Sequence, residues 1–193
     1  MEIAENAALI VVDVQEGFEA EAWGSRNNPE ADQNIAGLID AWQSSGRPVV
    51  FVRHDSPKPN SPLRVGQPGN DFKKYVEERR GKGSGPELLL TKSVNSAFYG
   101  TPDLAEWLDR SGIRQFVVVG IQTNMCVETT ARMGGNLGYE VFVPLDATYT
   151  FDLTGPWGWT RTADELTRAT AVSLHGGGFA KVVNSAELIA AAE

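Results

Sequence analysis

The segment ALIVVD, residues 8–13, sets five consecutive apolar residues, three of them β-branched, in front of a carboxylate. A strand with one wet face alternates apolar and polar residues, whereas an unbroken apolar run belongs to a strand covered on both faces, as in a parallel sheet between helices. Five further runs have the same character: Val49–Val52, Leu88–Leu90, Phe116–Val119, Val141–Val143 and Phe179–Val183. Helical periodicity separates them. Ile35, Leu38, Ile39 and Trp42 fall at i, i+3, i+4 and i+7, so a helix over about 30–45 presents one apolar face until Gly46 and Pro48 stop it. Leu104, Trp107 and Leu108 repeat the pattern, with Thr101 as N-cap, Pro102 at the first helical position and Gly112 at the end. Three more helices are expected, over 124–137, over 163–174 before the glycines 176–178, and from Ala186 onward. Strands alternating with helices define an α/β fold with six parallel strands.

With 193 residues the chain suffices for one domain with a real core, and 41% hydrophobic against 22% charged residues excludes disorder. Its formal charge of −8 has the wrong sign for a phosphate-tracking surface, so nucleic acid is not an expected partner. The longest apolar stretch, Ala7–Val12, is far short of the roughly 20 residues of a membrane span, and the acidic MEIAEN start is no signal peptide. The expectation is a cytoplasmic protein. A single cysteine beside two histidines makes neither a disulfide nor a cysteine-rich zinc site, so Cys126 is either inert or reactive.

In an open parallel sheet, ligands bind outside the carboxyl ends of the strands. Asp13 follows ALIVV, Lys92 follows LLLT, and Cys126 lies six residues past Gly120 in the helix after FVVVG. A cysteine in a helical first turn faces unpaired N–H groups and the positive end of the macrodipole. Both favour thiolate, and Lys92 adds to them, so the thiol is expected to titrate below its ordinary value of about 8.5. Asp13 can carry the proton that a departing amine needs. Taken singly, these residues are equally a turn cap, a solvated charge and a small buried hydrophobe; their joint position at strand ends favours chemistry. Asp146, after VFVPL, reads as a turn or cap residue, and His175 as a helix end. The segments 54–87 and 146–160 carry no clear element and are the loops expected to set specificity.

The stretches ALIVVDVQEGF (8–18), TKSVNSAFYGT (91–101) and GIQTNMCVETTARMGGNLGY (120–139) together resemble the isochorismatase-like cysteine hydrolases over nearly the whole chain. The specific features are the Asp…Lys…Cys order and the G-x-x-T-x-x-C-V pattern of Gly120, Thr123, Cys126 and Val127. HDSPKPNSPL (54–63) and LHGGGF (174–179) are similar to the streptothricin hydrolases, a lactam-opening subgroup. The resemblance implies a three-layer α/β/α sandwich with a six-stranded parallel sheet, assembled as a homodimer or homotetramer. It also implies a Cys126–Asp13–Lys92 triad working through a thioester on a small amide or lactam.

A cis peptide between Ile121 and Gln122 is implied as well, with the Gln122 and Cys126 N–H groups as an oxyanion hole. Candidate substrate contacts are Phe18, His54, Phe98, Gln122, Phe151 and Trp157. Nicotinamidases of this family bind a metal through Asp-x-His and a second His. Here His54, Ser56 and Asn60 or Ser61 stand at those positions, so no metal or other cofactor is expected. Vinyl-ether hydrolysis with Asp13 as general acid, and a non-enzymatic ligand-binding or redox-sensing module, are the competing readings.

Overall fold

Successive residues of Ala8–Val12 are taken by opposite faces of one sheet: Leu9 and Val11 enter one hydrophobic cluster, Ala8, Ile10 and Val12 the other. The computed structural model describes residues 2–192. Along the chain it forms β1 (Ala8–Val12), α1 (Ala31–Ser44), β2 (Val49–His54), the single turn α2 (Lys74–Glu77), β3 (Glu87–Lys92), α3 (Leu104–Arg110) and β4 (Gln115–Ile121). It continues with α4 (Glu128–Asn136), β5 (Glu140–Pro144), β6 (Thr148–Tyr149), β7 (Leu153–Thr154), β8 (Thr160–Arg161), α5 (Ala163–Gly176), β9 (Lys181–Val183) and α6 (Ser185–Ala192).

The main sheet is parallel in the order β3-β2-β1-β4-β5-β9. Ile35, Leu38, Ile39 and Trp42 of α1 and Leu188 of α6 cover one face; Leu104 and Leu108 of α3, Ala131 of α4 and Leu174 of α5 cover the other. The fold is the expected three-layer sandwich. Because β1 and β2 run toward one edge and β4 returns to the other side of β1, the crevice at their carboxyl ends opens between β1 and β4.

Several boundaries differ from the sequence expectation, each for a local reason. Pro102 lies outside α3, because Thr101 pairs antiparallel with Thr91 and the cap is Asp103, whose carboxylate accepts from Glu106 N–H at 2.9 Å. A π-helical turn over Thr123–Val127 precedes α4. Phe179 stays outside β9, which starts at Lys181. A seventh short strand, β6, pairs Thr148 with Gly120 and Tyr149 with Ile121, prolonging the sheet beside β4 after β5 has ended at Pro144. Asp146 caps α6, accepting from Ser185 N–H at 2.8 Å. No helix among the described residues is long and apolar enough to cross a membrane.

Two features fix the walls of the crevice. At Gly120 the backbone has φ +120, and a Cβ there would lie 2.0 Å from Val12 O, so only glycine lets β4 pass this close to the end of β1. On the α1 side, Asp32 gathers Arg26 at 2.8 Å, Lys73 at 3.1 Å and the Tyr75 hydroxyl at 3.0 Å, and Lys73 also pairs with Glu19. This cluster ties residues 16–28 and 72–75 to α1. Burial opposes ionisation of Asp32, but Lys73 and Arg26 outweigh it and hold the carboxyl below the usual carboxylate range.

Gly120→Ala should destabilise the protein by about 3 kcal/mol, the upper end for a point substitution, read as a lower urea midpoint. Because the folded-state value of Asp32 is depressed, its contribution is full above the unfolded carboxyl value of about 3.9 and is lost as pH falls through the lower folded value. The stability gap between wild type and Asp32→Asn should therefore be widest near neutrality and shrink at pH 3, in urea titrations at both pH values.

Candidate active site

Three chain segments bring the functional side chains together. Asp13 directly follows β1 in a left-handed conformation, φ 53, which aspartate tolerates better than most residues, and its N–H donates to Val52 O at 2.9 Å. Lys92 ends β3 and sits in register with His54 of β2. Cys126 lies in the π-turn after β4, not in the first turn of an α-helix as the sequence suggested.

The Lys92 ammonium joins them. Its Nζ is 2.6 Å from Asp13 Oδ2, 3.2 Å from His54 Nδ1 and 3.4 Å from Cys126 Sγ. The Lys92 and Asp13 side chains are 0% and 1% exposed. A pair this deep is held by mutual attraction against desolvation, and losing one member leaves the other charge stranded. Burial alone would lower the Lys92 value, but Asp13 and the Cys126 sulfur offset it and hold the ammonium above its ordinary range. The second Asp13 oxygen, Oδ1, is buried and has no donor among the described residues. Ligand atoms of Asp13, His54 and Cys126 lie within 4.8 Å of one another, so this carboxylate and the thiol belong to one cluster.

The thiol itself departs from expectation. Burial and the Asp13 carboxylate push Cys126 up, and Lys92 only partly counters them. The predicted depression fails because Cys126 is 8% exposed, lies in the π-turn and has an anion beside the cation. The Cys126 thiol thus shares its buried surroundings with both a carboxylate and an ammonium.

Above the cluster is a cavity of about 610 Å³, lined by Asp13, His54 and Cys126 at its base, by Phe18, Trp23 and Met125, and by the 56–63 loop. Gln122 also lines it, and its peptide bond with Ile121 is cis. Among the candidate contacts, Phe18, His54 and Gln122 thus reach the cavity and three others do not. Phe98 is buried against Phe116 and Tyr139 on the face covered by α3, α4 and α5. Phe151, 3% exposed, stands behind the wall, 5.5 Å from Trp23 and 6.4 Å from Phe18. Trp157, 81% exposed, pairs with Trp159 on the β7–β8 hairpin.

Trp23, Met125, Ser56 and Asn95 line the cavity and were not singled out as substrate contacts. Ser56 follows the end of β2 and Asn95 the end of β3, the position that marks a ligand loop; Trp23 carried no comparable signal. The donor set at the nicotinamidase metal positions does not fit a metal. His54 faces an ammonium, Ser56 and Asn60 are weak neutral donors, and Asp55 is engaged by Arg53 at 2.8 Å and Asn70 at 3.0 Å. The Asp13–His54–Cys126 cluster has the Lys92 ammonium within 3.4 Å of all three members, where a cation would have to sit.

Residues 7–175 match the family model described as the isochorismatase domain, and the chain belongs to the isochorismatase family of hydrolases. A crystal structure of an isochorismatase-family protein from Chromobacterium violaceum superposes with a TM-score of 0.91 at 40% identity, covering 100% of this chain and 96% of that one. Nicotinamidase 3 of Arabidopsis thaliana is 32% identical over 190 residues, 94% of this chain and 86% of its own length. Streptothricin hydrolase of Streptomyces noursei is 30% identical over 149 residues, 76% of this chain and 50% of its own length.

Iodoacetamide labelling of Cys126 should be slow at pH 7 and still accelerating above pH 9. Asp13→Asn removes the anion, so its labelling profile should move to lower pH, while Lys92→Met removes the cation and should move it higher. Mass spectrometry of the labelled protein at a series of pH values reads both shifts.

Proposed function

We propose that the protein is a metal-independent amidohydrolase that opens a small amide or lactam through a thioester on Cys126. The observation that supports this most directly is the buried Lys92–Asp13 pair, with Asp13 Oδ1 left without a donor, under a cavity that also exposes the Cys126 thiol. Relatives named nicotinamidase and streptothricin hydrolase support cleavage of a carbon–nitrogen bond.

In this mechanism the Cys126 sulfur attacks the amide carbon while its proton passes to Asp13 Oδ1. The carbonyl oxygen becomes an oxyanion, for which the backbone N–H groups of Gln122 and Cys126 are the assigned donors. Protonated Asp13 gives the proton to the departing nitrogen, the C–N bond breaks, and the amine leaves a thioester behind. Water then attacks the thioester while Asp13 takes its proton, the C–S bond breaks, and Asp13 returns that proton to the sulfur, releasing the acid and restoring thiol and carboxylate. Lys92 keeps its charge throughout and holds Asp13 in place.

A panel of primary amides and small lactams, read by ammonia or amine release, should contain a substrate of the wild type. Cys126→Ser should lower kcat on it by at least about 10³-fold, because an alkoxide is far harder to form than a thiolate. Turnover unaffected by Cys126→Ser would favour the vinyl-ether reading, in which Asp13 alone acts as acid. Dialysis against EDTA should leave kcat unchanged, since Lys92 stands where the cluster would hold a cation.

A further inference from the structure

His54 was a candidate contact on position alone; its surroundings give it a specific role. Its backbone is clamped by buried amides: Gln15 Oε1 accepts from His54 N–H at 2.8 Å, and Gln15 Nε2 and Asn70 Nδ2 each donate to His54 O at 3.1 Å. The clamp fixes the main chain that carries the ring, and the ring meets Lys92 with Nδ1 3.2 Å from Nζ. The ammonium has three protons and three neighbours, Asp13 Oδ2, Cys126 Sγ and His54 Nδ1, so Nδ1 must accept. A neutral imidazole that accepts at one nitrogen carries its proton on the other. Burial and Lys92 both oppose a second proton and hold His54 below its ordinary value. Nε2 makes no hydrogen bond among the described residues and is not among the buried unpaired atoms, while the residue lines the cavity. Its N–H is a fixed, uncharged donor left for a ligand.

The charges nearby narrow what that ligand is. Lys92 is buried beneath the cavity and spent on Asp13, and Lys58, the cation among the described lining residues, is exposed at the loop. A ligand carboxylate would lose water at the base beside the unpaired Asp13 oxygen and without a partner cation, and a ligand ammonium has no lone pair to accept from the Nε2–H. Phe18, Trp23 and Met125 supply an apolar wall for the rest.

We propose that His54, held by Lys92 as an Nε2–H donor, is the residue that selects the acyl part of the substrate: an amide whose acyl chain bears an uncharged hydrogen-bond acceptor. This rests on the amidohydrolase reading for the reaction and adds the class of acyl group.

Methoxyacetamide and butyramide differ only by an ether oxygen in place of a methylene, and they are the probes. One net hydrogen bond corresponds to roughly 2- to 10-fold, so wild type should prefer methoxyacetamide by that factor in kcat/KM, with malonamate and glycinamide poorer than methoxyacetamide. In His54→Asn the shorter amide meets Lys92 at the Nδ1 position but offers nothing at Nε2. It should keep the iodoacetamide labelling profile of Cys126 and lose the preference. His54→Gln, which restores a donor at the Nε2 position, should regain it.

Protection of Cys126 from iodoacetamide by each amide measures the same preference without turnover. If no amide is hydrolysed yet methoxyacetamide protects better than butyramide, and does so only with His54 or Gln present, the reaction assignment falls and the role of His54 stands. Equal protection by the two amides in wild type, or an unchanged preference in His54→Asn, overturns the role of His54, as does an ¹⁵N spectrum placing the ring proton on Nδ1.

Discussion

The buried contact between Lys92 and Asp13 governs the architecture around it. Neither charge tolerates this depth alone, so each strand end that delivers one must be placed to within a few tenths of an ångström of the other. Asp13 comes from the central β1 and Lys92 from the edge strand β3, with β2 between them, and the parallel register that aligns His54 with Lys92 spans the gap. The left-handed turn at Asp13, the glycine at 120 and the Gln15 clamp on His54 are local costs accepted to keep that contact in place.

From that contact the site organises by hydrogen-bond direction. An ammonium only donates and a carboxylate only accepts, so once Lys92 has used its protons the remaining roles are determined. Asp13 keeps one oxygen free, the thiol keeps its proton, and His54 keeps its outer N–H. The arrangement is neutral overall and pre-aligned, which suits chemistry that moves one proton back and forth without importing charge. The ionic cluster around Asp32 works at a different level. It fixes the segment carrying Phe18 and Trp23, and so shapes the wall of the cavity and leaves its reacting groups alone.

How much of this was legible in the sequence follows from which interactions are local. Strand identity was readable because burial on both faces writes itself as unbroken apolar runs, and all six runs became strands of the sheet, five of them wholly and the last from Lys181 onward. Asp13, Lys92 and Cys126 were readable because strand-end positions in a parallel sheet converge. The environment of the thiol was not, since the sign of its shift depends on an anion and a cation separated from it by 113 and 34 residues and on a π-turn that propensity does not encode. The aromatic residues failed for the same reason. Phe98, Phe151 and Trp157 are candidate contacts by sequence, yet one is core, one backs the wall and one points to solvent, a sorting made by tertiary packing alone. Thr101 and Pro102 look like a helix start until the bridge from Thr101 to Thr91 shows them finishing the edge of the sheet.

Lys92 also has a consequence before the native state is reached. It closes ELLLTK, a short edge strand with an apolar middle whose outer backbone groups stay unpaired until Thr101 bridges to Thr91. Asp13 lies 79 residues away in sequence, so until β1, β2 and β3 have assembled the ammonium stays hydrated at the tip of that strand. A hydrated charge there resists edge-to-edge pairing with another molecule, and it gives up its water only on meeting the one carboxylate placed to receive it. The group that organises the finished crevice is thus also, while the chain folds, a charge of the kind that opposes edge pairing.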